Sequence, residues 1–328
     1  MCNTAQHNGG RVIKGWTTLA IWLSLSSTGS AGLAADGLQA EVRQPGYHAT
    51  MFYPSGAKGT APGVLVLGGA EGGDKWARAV AQDLAVHGYA ALAEAYFKAP
   101  GLDDQLRQIP LERLKQGIDQ LAKDPRVDRR RIAVIGFSKG AEAALVLAAS
   151  DLRIKAVVAG SPSDVVWQGI DRKTNKVDSS WSVGGRALPF VPFAACDDCR
   201  SLGSLYVKSR EASAAVAAAA IAVERIQGPI LMLASEKDAV WPSQTMAEAL
   251  KRRLERYDFR HPVVLLRYPD GGHFTFGPLA PQDAASDAGF GGGTAEGVVA
   301  ARRSSWPQVL AFLDRALHHK AAAAAKAR

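Results

Sequence analysis

The 328-residue chain holds only three cysteines, Cys2, Cys196 and Cys199. So few exclude a small disulfide-stapled scaffold and a four-cysteine zinc site. Acidic residues are outnumbered, 31 Asp+Glu against 39 Lys+Arg, for a net charge of +8. The basic excess is spread out, densest at Arg129-Arg130-Arg131 and Lys251-Arg252-Arg253. Aromatics are sparse at 7% and none interleaves with those clusters. They therefore read as solvated surface, and no nucleic-acid partner is expected. What remains is ordinary globular material, 47% hydrophobic and 21% charged, which excludes a wholly disordered or fibrous chain. The length suits one large α/β domain or two small ones.

No acidic residue precedes Asp36. Arg11 and Lys14 lead into a short apolar run, Trp16 to Leu25, followed by small residues through Ala31, Ala34 and Ala35. This is the charged, apolar and small-residue order of a secretory signal, expected over residues 1–35. The run falls short of the about 20 residues of a spanning helix. Cleavage after Ala31, Ala34 or Ala35 suits the chemistry equally, and after it no stable membrane span is expected. The expected location is periplasmic or secreted, or cytoplasmic if translation starts later. In an oxidising compartment Cys196 and Cys199 can close a disulfide; otherwise they are two idle thiols.

Beyond Asp36 strands and helices alternate. Leu38–Val42 and Ala49–Tyr53 read as an antiparallel hairpin. Gly63–Leu67, Ala90–Phe97, Ile132–Gly136, Ile154–Val158, Pro229–Ala234 and Val263–Tyr268 read as strands, several apolar enough for burial on both faces. Between them, helices are expected from Asp74 (as N-cap) to Val86, over Leu111–Ala122, over Lys139–Ala149 and from about Ser243 to Tyr257. Pro307–Leu317 closes the pattern. The fold class is α/β, a mostly parallel, doubly wound sheet, in a domain over residues 36–319. Residues 161–225 break the rhythm and read as a cap-like insertion. Residues 274–300 are rich in Gly and Ala and read as a long surface loop, and residues 320–328 as a disordered tail.

Gly136-Phe137-Ser138-Lys139-Gly140 is a G-x-S-x-G motif between a buried strand and a helix. A sharp turn there lifts a serine hydroxyl above the sheet. The free N–H groups of the following helix favour developing negative charge at the same spot. A serine needs a base, and the chain order Ser, acid, His places the partners just beyond the last two strands. His273 is the base, and Asp238 the acid that orients it, with Glu236 and Asp270 as alternatives. The other histidines lie in the leader, the hairpin, a helix end, a strand approach and the last helix. An oxyanion hole would use the backbone N–H of Lys139 and one from Gly68-Gly69-Ala70-Glu71-Gly72-Gly73. Ala70 is the choice, with Gly69 or Glu71 as alternatives. No Gly-Lys-Ser/Thr follows, so this is not a phosphate loop. The chemistry calls for no metal and no cofactor.

These residues resemble the α/β-hydrolase superfamily. Within it they are similar to the C-terminal catalytic domain shared by acyl-CoA thioester hydrolases and bile acid-CoA:amino acid N-acyltransferase, with dienelactone-hydrolase-like proteins as the nearest competitors. The likeness covers residues 60–160 and 226–317. It rests on Pro62-Gly63-Val64 leading into Gly68-Gly69, on Gly136 to Glu142, on Asp238-Ala239-Val240-Trp241-Pro242-Ser243, and on Gly272-His273. By position the family triad falls on Ser138, Asp238 and His273. The amino-acid-transferring members carry a cysteine at the nucleophile, so Ser138 implies transfer to water. Ala141 stands where the family motif usually has glycine, and residues 161–225 show no alignable likeness to the family. The resemblance implies a serine hydrolase acting on a small-molecule acyl ester or thioester. A peptidase or lactonase on the same scaffold is the alternative, and a non-catalytic binding protein the third.

Overall fold

The computed structural model describes residues 39–278 and 284–317; the expected leader and C-terminal tail lie outside them. Eight strands form one sheet: β1 (Gln39–Gln44), β2 (Tyr47–Phe52), β3 (Ala61–Leu67), β4 (Ala90–Ala95), β6 (Val127–Phe137), β7 (Ile154–Gly160), β10 (Ile230–Ala234) and β11 (Val263–Arg267). Their spatial order is β1-β2-β4-β3-β6-β7-β10-β11. The β1–β2 and β2–β4 pairs are antiparallel, and every later pair is parallel. From β3 the chain steps outward to β4, then returns past β3 to β6. This reversal splays the loops after β3 and β6 apart and opens a crevice at the carboxyl ends of the strands.

Side chains alternate across the sheet, and each face has its helices. Leu65, Leu67 and Val134 join one core with α2 (Leu111–Lys123), α3 (Lys139–Ala148) and α6 (Ser243–Arg256). Val64, Val66, Ala133 and Ile135 join the other core with α1 (Lys75–Val86) and α8 (Ala295–Leu317). The helical spacing in α2 buries Leu111, Leu114, Ile118 and Leu121 on one side. Asp74 precedes α1 but makes no side-chain cap; its carboxylate turns instead to His48 (3.4 Å) and Arg78 (3.8 Å).

The region read as a long loop over 274–300 is corrected by the structure. It holds α7 (Ala284–Gly291) and the first turns of α8, which runs through Pro307 instead of starting there. Ser305 Oγ donates to the Thr275 carbonyl and Arg302 Nε to the Phe274 carbonyl, so tertiary bonds pin this half of the helix down.

The insertion is ordered without being regular. A short strand β8 (Trp181–Val183) pairs with β5 (Ile109–Pro110) on one side and with β9 (Arg186–Ala187) on the other, in a small sheet. Helices α4 (Leu202–Ala212) and α5 (Val216–Ala219) and one 3-10 turn (Val223–Arg225) follow. Cys196 and Cys199 are joined by a disulfide. No described helix is long and apolar enough to cross a membrane.

Candidate active site

Ser138 occupies the single-residue turn between β6 and α3, with φ 54° and ψ −120°. A non-glycine residue there is strained, and such strain collects at functional positions. The flanking glycines make the turn possible. A Cβ on Gly136 would strike the Gly140 carbonyl, and one on Gly140 would strike that of Gly68. Ala141 is fully buried in the core, so the departure from the family's usual glycine is accommodated.

Asp238 follows β10 and His273 follows β11. His273 Nε2 lies 2.8 Å from Ser138 Oγ, and Nδ1 lies 3.0 and 2.9 Å from the two carboxylate oxygens of Asp238. With Nδ1–H donating to Asp238, Nε2 is left to accept the serine proton. Asp238 Oδ1 also accepts the N–H groups of Val240 (3.0 Å) and Trp241 (3.1 Å), which fix its rotamer. Ser138, Asp238 and His273 are 6%, 9% and 2% exposed, dry enough to strengthen each bond. The rings of Phe137, Phe274 and Trp241 surround the imidazole at 5.1 to 5.8 Å. The two alternative acids point elsewhere: Asp270 pairs with Lys237 (2.7 Å), and Glu236 accepts from Gln244 (3.3 Å).

Groups without a sequence signal hold the histidine loop. The Gly291 carbonyl at the end of α7 accepts both the His273 N–H (2.8 Å) and the Ala239 N–H (2.9 Å), tying the loop of His273 to that of Asp238. Ser161 Oγ donates to the His273 carbonyl (2.7 Å), and Trp241 Nε1 donates to the Ser161 carbonyl (3.2 Å).

The turn after β3 is held by Tyr96, whose buried hydroxyl donates to the carbonyls of Gly68 (2.7 Å) and Gly69 (3.2 Å). Burial pushes that phenol well above its usual pKa, so it stays a donor. Of the turn's N–H groups, Gly69 already donates to Glu71 Oε1 (3.0 Å). Those of Ala70 and Lys139 donate to no backbone or side-chain acceptor among the described residues.

Behind Ser138 lies a buried ion pair. Lys139 Nζ sits 2.7 Å from Glu142 Oε2, with both side chains at most 2% exposed. Burial lowers the lysine pKa and raises that of the glutamate, and their mutual attraction opposes both shifts. The other glutamate oxygen accepts the Trp167 N–H (3.1 Å) and Trp181 Nε1–H (2.7 Å). The insertion is thereby fastened to α3, the helix that follows Ser138. Among the described residues, Cys196, Asp198 and Cys199 are the one group offering three metal-ligand atoms together, and its two sulfurs are bonded to each other.

The fold has counterparts. A family model described as BAAT / Acyl-CoA thioester hydrolase C terminal matches residues 109–319, running through the insertion that the sequence alone did not align. Acyl-coenzyme A thioesterase 6 of Mus musculus is 28% identical over 294 residues, covering 84% of this chain and 65% of that protein. Acyl-coenzyme A amino acid N-acyltransferase 1 of Mus musculus is 29% identical over 287 residues, covering 84% and 65%. The chain thus spans about two-thirds of the length of these relatives. Among solved structures, a dienelactone hydrolase from Klebsiella pneumoniae superposes with a TM-score of 0.54 at 18% identity, covering 85% of this chain and 99% of that one, which shows the shared α/β-hydrolase fold. The chain belongs to the BAAT / acyl-CoA thioester hydrolase C-terminal family.

Proposed function

We propose that the protein is a serine hydrolase that cleaves a small-molecule acyl ester or thioester through an acyl-enzyme. The observation that carries this reading is the 2.8 Å contact between His273 Nε2 and Ser138 Oγ, with Asp238 bracing the far side of the ring. Ser138 Oγ attacks the acyl carbonyl carbon as its proton passes to Nε2. The carbonyl oxygen becomes an oxyanion, met by the N–H groups of Lys139 and Ala70. The intermediate collapses, the carbon–oxygen or carbon–sulfur bond breaks, and the imidazolium returns its proton to the departing alcohol or thiol. Water then attacks the acyl-Ser138 ester with His273 as base. The free acid leaves, and the serine proton is restored. Asp238 stays ionised throughout and stabilises the imidazolium.

A thioester is favoured by the family membership. Export through the residue 1–35 leader, supported also by the Cys196–Cys199 disulfide, would favour a carboxylic ester or lactone, because acyl-CoA is a cytosolic metabolite. The test is a panel of 4-nitrophenyl esters and acyl thioesters given to residues 36–328 and to Ser138→Ala. The substitution is expected to cut kcat/KM by at least ~10³-fold on every substrate turned over. Retained turnover would remove Ser138 from the role.

A further inference from the structure

The hydrolase reading leaves one charged group beside the nucleophile unused. Glu71 follows Ala70 in the turn after β3, and its carboxylate turns back toward Gly68 and Gly69. Oε1 accepts the Gly69 N–H at 3.0 Å. A Cβ placed on Gly68 would lie 3.1 Å from Oε1. A Cβ placed on Gly69 would lie 2.6 Å from Oε2 and 3.2 Å from the Ser138 Cβ. The carboxylate and the nucleophile's side chain therefore flank one point, and their separation cannot exceed those two distances laid end to end.

The residue keeps an exposed flank, while its carboxyl group is crowded by protein on the inner side. That crowding raises its pKa, opposed by the Gly69 N–H and by the charges of His273 and Lys98. The Lys98 ammonium donates to the Glu71 main-chain carbonyl (3.2 Å). A substrate carbonyl whose oxygen sits between the Ala70 and Lys139 N–H groups has the Glu71 carboxylate as a close neighbour.

We propose that Glu71 is a specificity-determining residue that discriminates against acyl groups carrying a negative charge within a few carbons of the reacting carbonyl, so that monocarboxylic acyl groups are accepted and dicarboxylic half-esters and half-thioesters refused. This rests on the serine-hydrolase reading. Like charges several ångströms apart in a partly desolvated cleft repel enough to change a rate ratio about ten-fold to a hundred-fold. The same repulsion helps expel the carboxylate product.

The test uses pentanoyl and glutaryl substrates, which share a chain length and differ by one terminal carboxylate. Each is offered as the 4-nitrophenyl ester and the N-acetylcysteamine thioester, with uncatalysed hydrolysis subtracted. The wild-type protein is expected to prefer pentanoyl by at least about ten-fold in kcat/KM, and the preference to shrink as salt is added. Glu71→Gln, which keeps an acceptor for the Gly69 N–H, is expected to reduce the preference at least about five-fold and remove its salt dependence. Glu71→Lys is expected to reverse it. A preference unchanged in both variants overturns the proposal while leaving the hydrolase reading intact. So does an equal loss on both acyl groups, which would make Glu71 part of the turn's framework. Failure of the wild-type protein to hydrolyse pentanoyl substrates above the Ser138→Ala background overturns the hydrolase reading and this inference with it.

Discussion

The rim of the main sheet and the insertion over residues 161–225 are held by different physics. At the rim, continuous apolar strands are buried on both faces, and each functional side chain stands one to six residues past a strand end. In the insertion, strands are two or three residues long, and buried polar groups supplement a small separate apolar cluster around Val165, Trp167, Val191 and Tyr206. Glu142 accepts from Trp167 and Trp181, and Arg210 grips both oxygens of Asp164 at 2.7 and 2.6 Å. A packed sheet tolerates sequence drift as long as volume and pattern are kept. A segment anchored by a few satisfied polar groups depends on each of them. The insertion is therefore where single changes should uncouple shape from chemistry.

The sharpest way to separate the two regions is at the rim itself. His273→Ala removes the proposed base and is expected to lower kcat/KM by ~10³-fold or more, an effect on turnover far larger than that on stability, measured by steady-state kinetics beside a melting curve. Glu142→Gln should do the reverse. It strips the Lys139 ammonium of its buried counter-charge and is expected to cost about 3–5 kcal/mol in chemical denaturation. Replacing both partners by apolar residues should recover much of that loss; a double variant no more stable than Glu142→Gln would show that the pair's charge is not the source. Leu114→Ala, at a position of α2 fully buried in the core, is expected to cost about 2–5 kcal/mol by leaving a cavity.

The smallest effect belongs to the seam where the insertion rejoins the sheet. The Arg253 guanidinium holds both oxygens of Glu224 at 2.6 and 2.8 Å, and this pairing sets the glutamate below its usual pKa. A carboxylate with a lowered folded-state pKa contributes its stability above the unfolded-state value and loses it as pH falls through the folded-state value. Glu224→Gln is therefore expected to cost about 1 kcal/mol or less near neutral pH and nothing once both states are protonated, read from melts across the acid range. A cost that persists at low pH would assign the loss to packing.

What was legible in the sequence follows the same division. Continuous apolar runs exposed β3 and β6, and period-3.6 spacing exposed α2, because burial writes itself into residue order. The motif around Ser138 and the positions of Asp238 and His273 stood out because strand ends are easy to find. Gly291 and Ser161 did not, since one acts through a main-chain carbonyl and the other is a small loop residue. Nor did α7 and the first half of α8, where Gly and Ala conceal the period and Pro307 reads as a helix start. Glu71 could be read only as a turn residue with a backbone N–H to offer an oxyanion, because the course of its carboxylate is a three-dimensional fact.

The central claim is that Ser138 is made nucleophilic by His273. Fluorophosphonate labelling of the intact protein, followed by peptide mapping, tests it directly. The account predicts a single phosphonylated site at Ser138, with labelling abolished in Ser138→Ala and slowed at least ~10²-fold in His273→Ala. Labelling that maps to another residue, or proceeds at the wild-type rate without the imidazole, would contradict it.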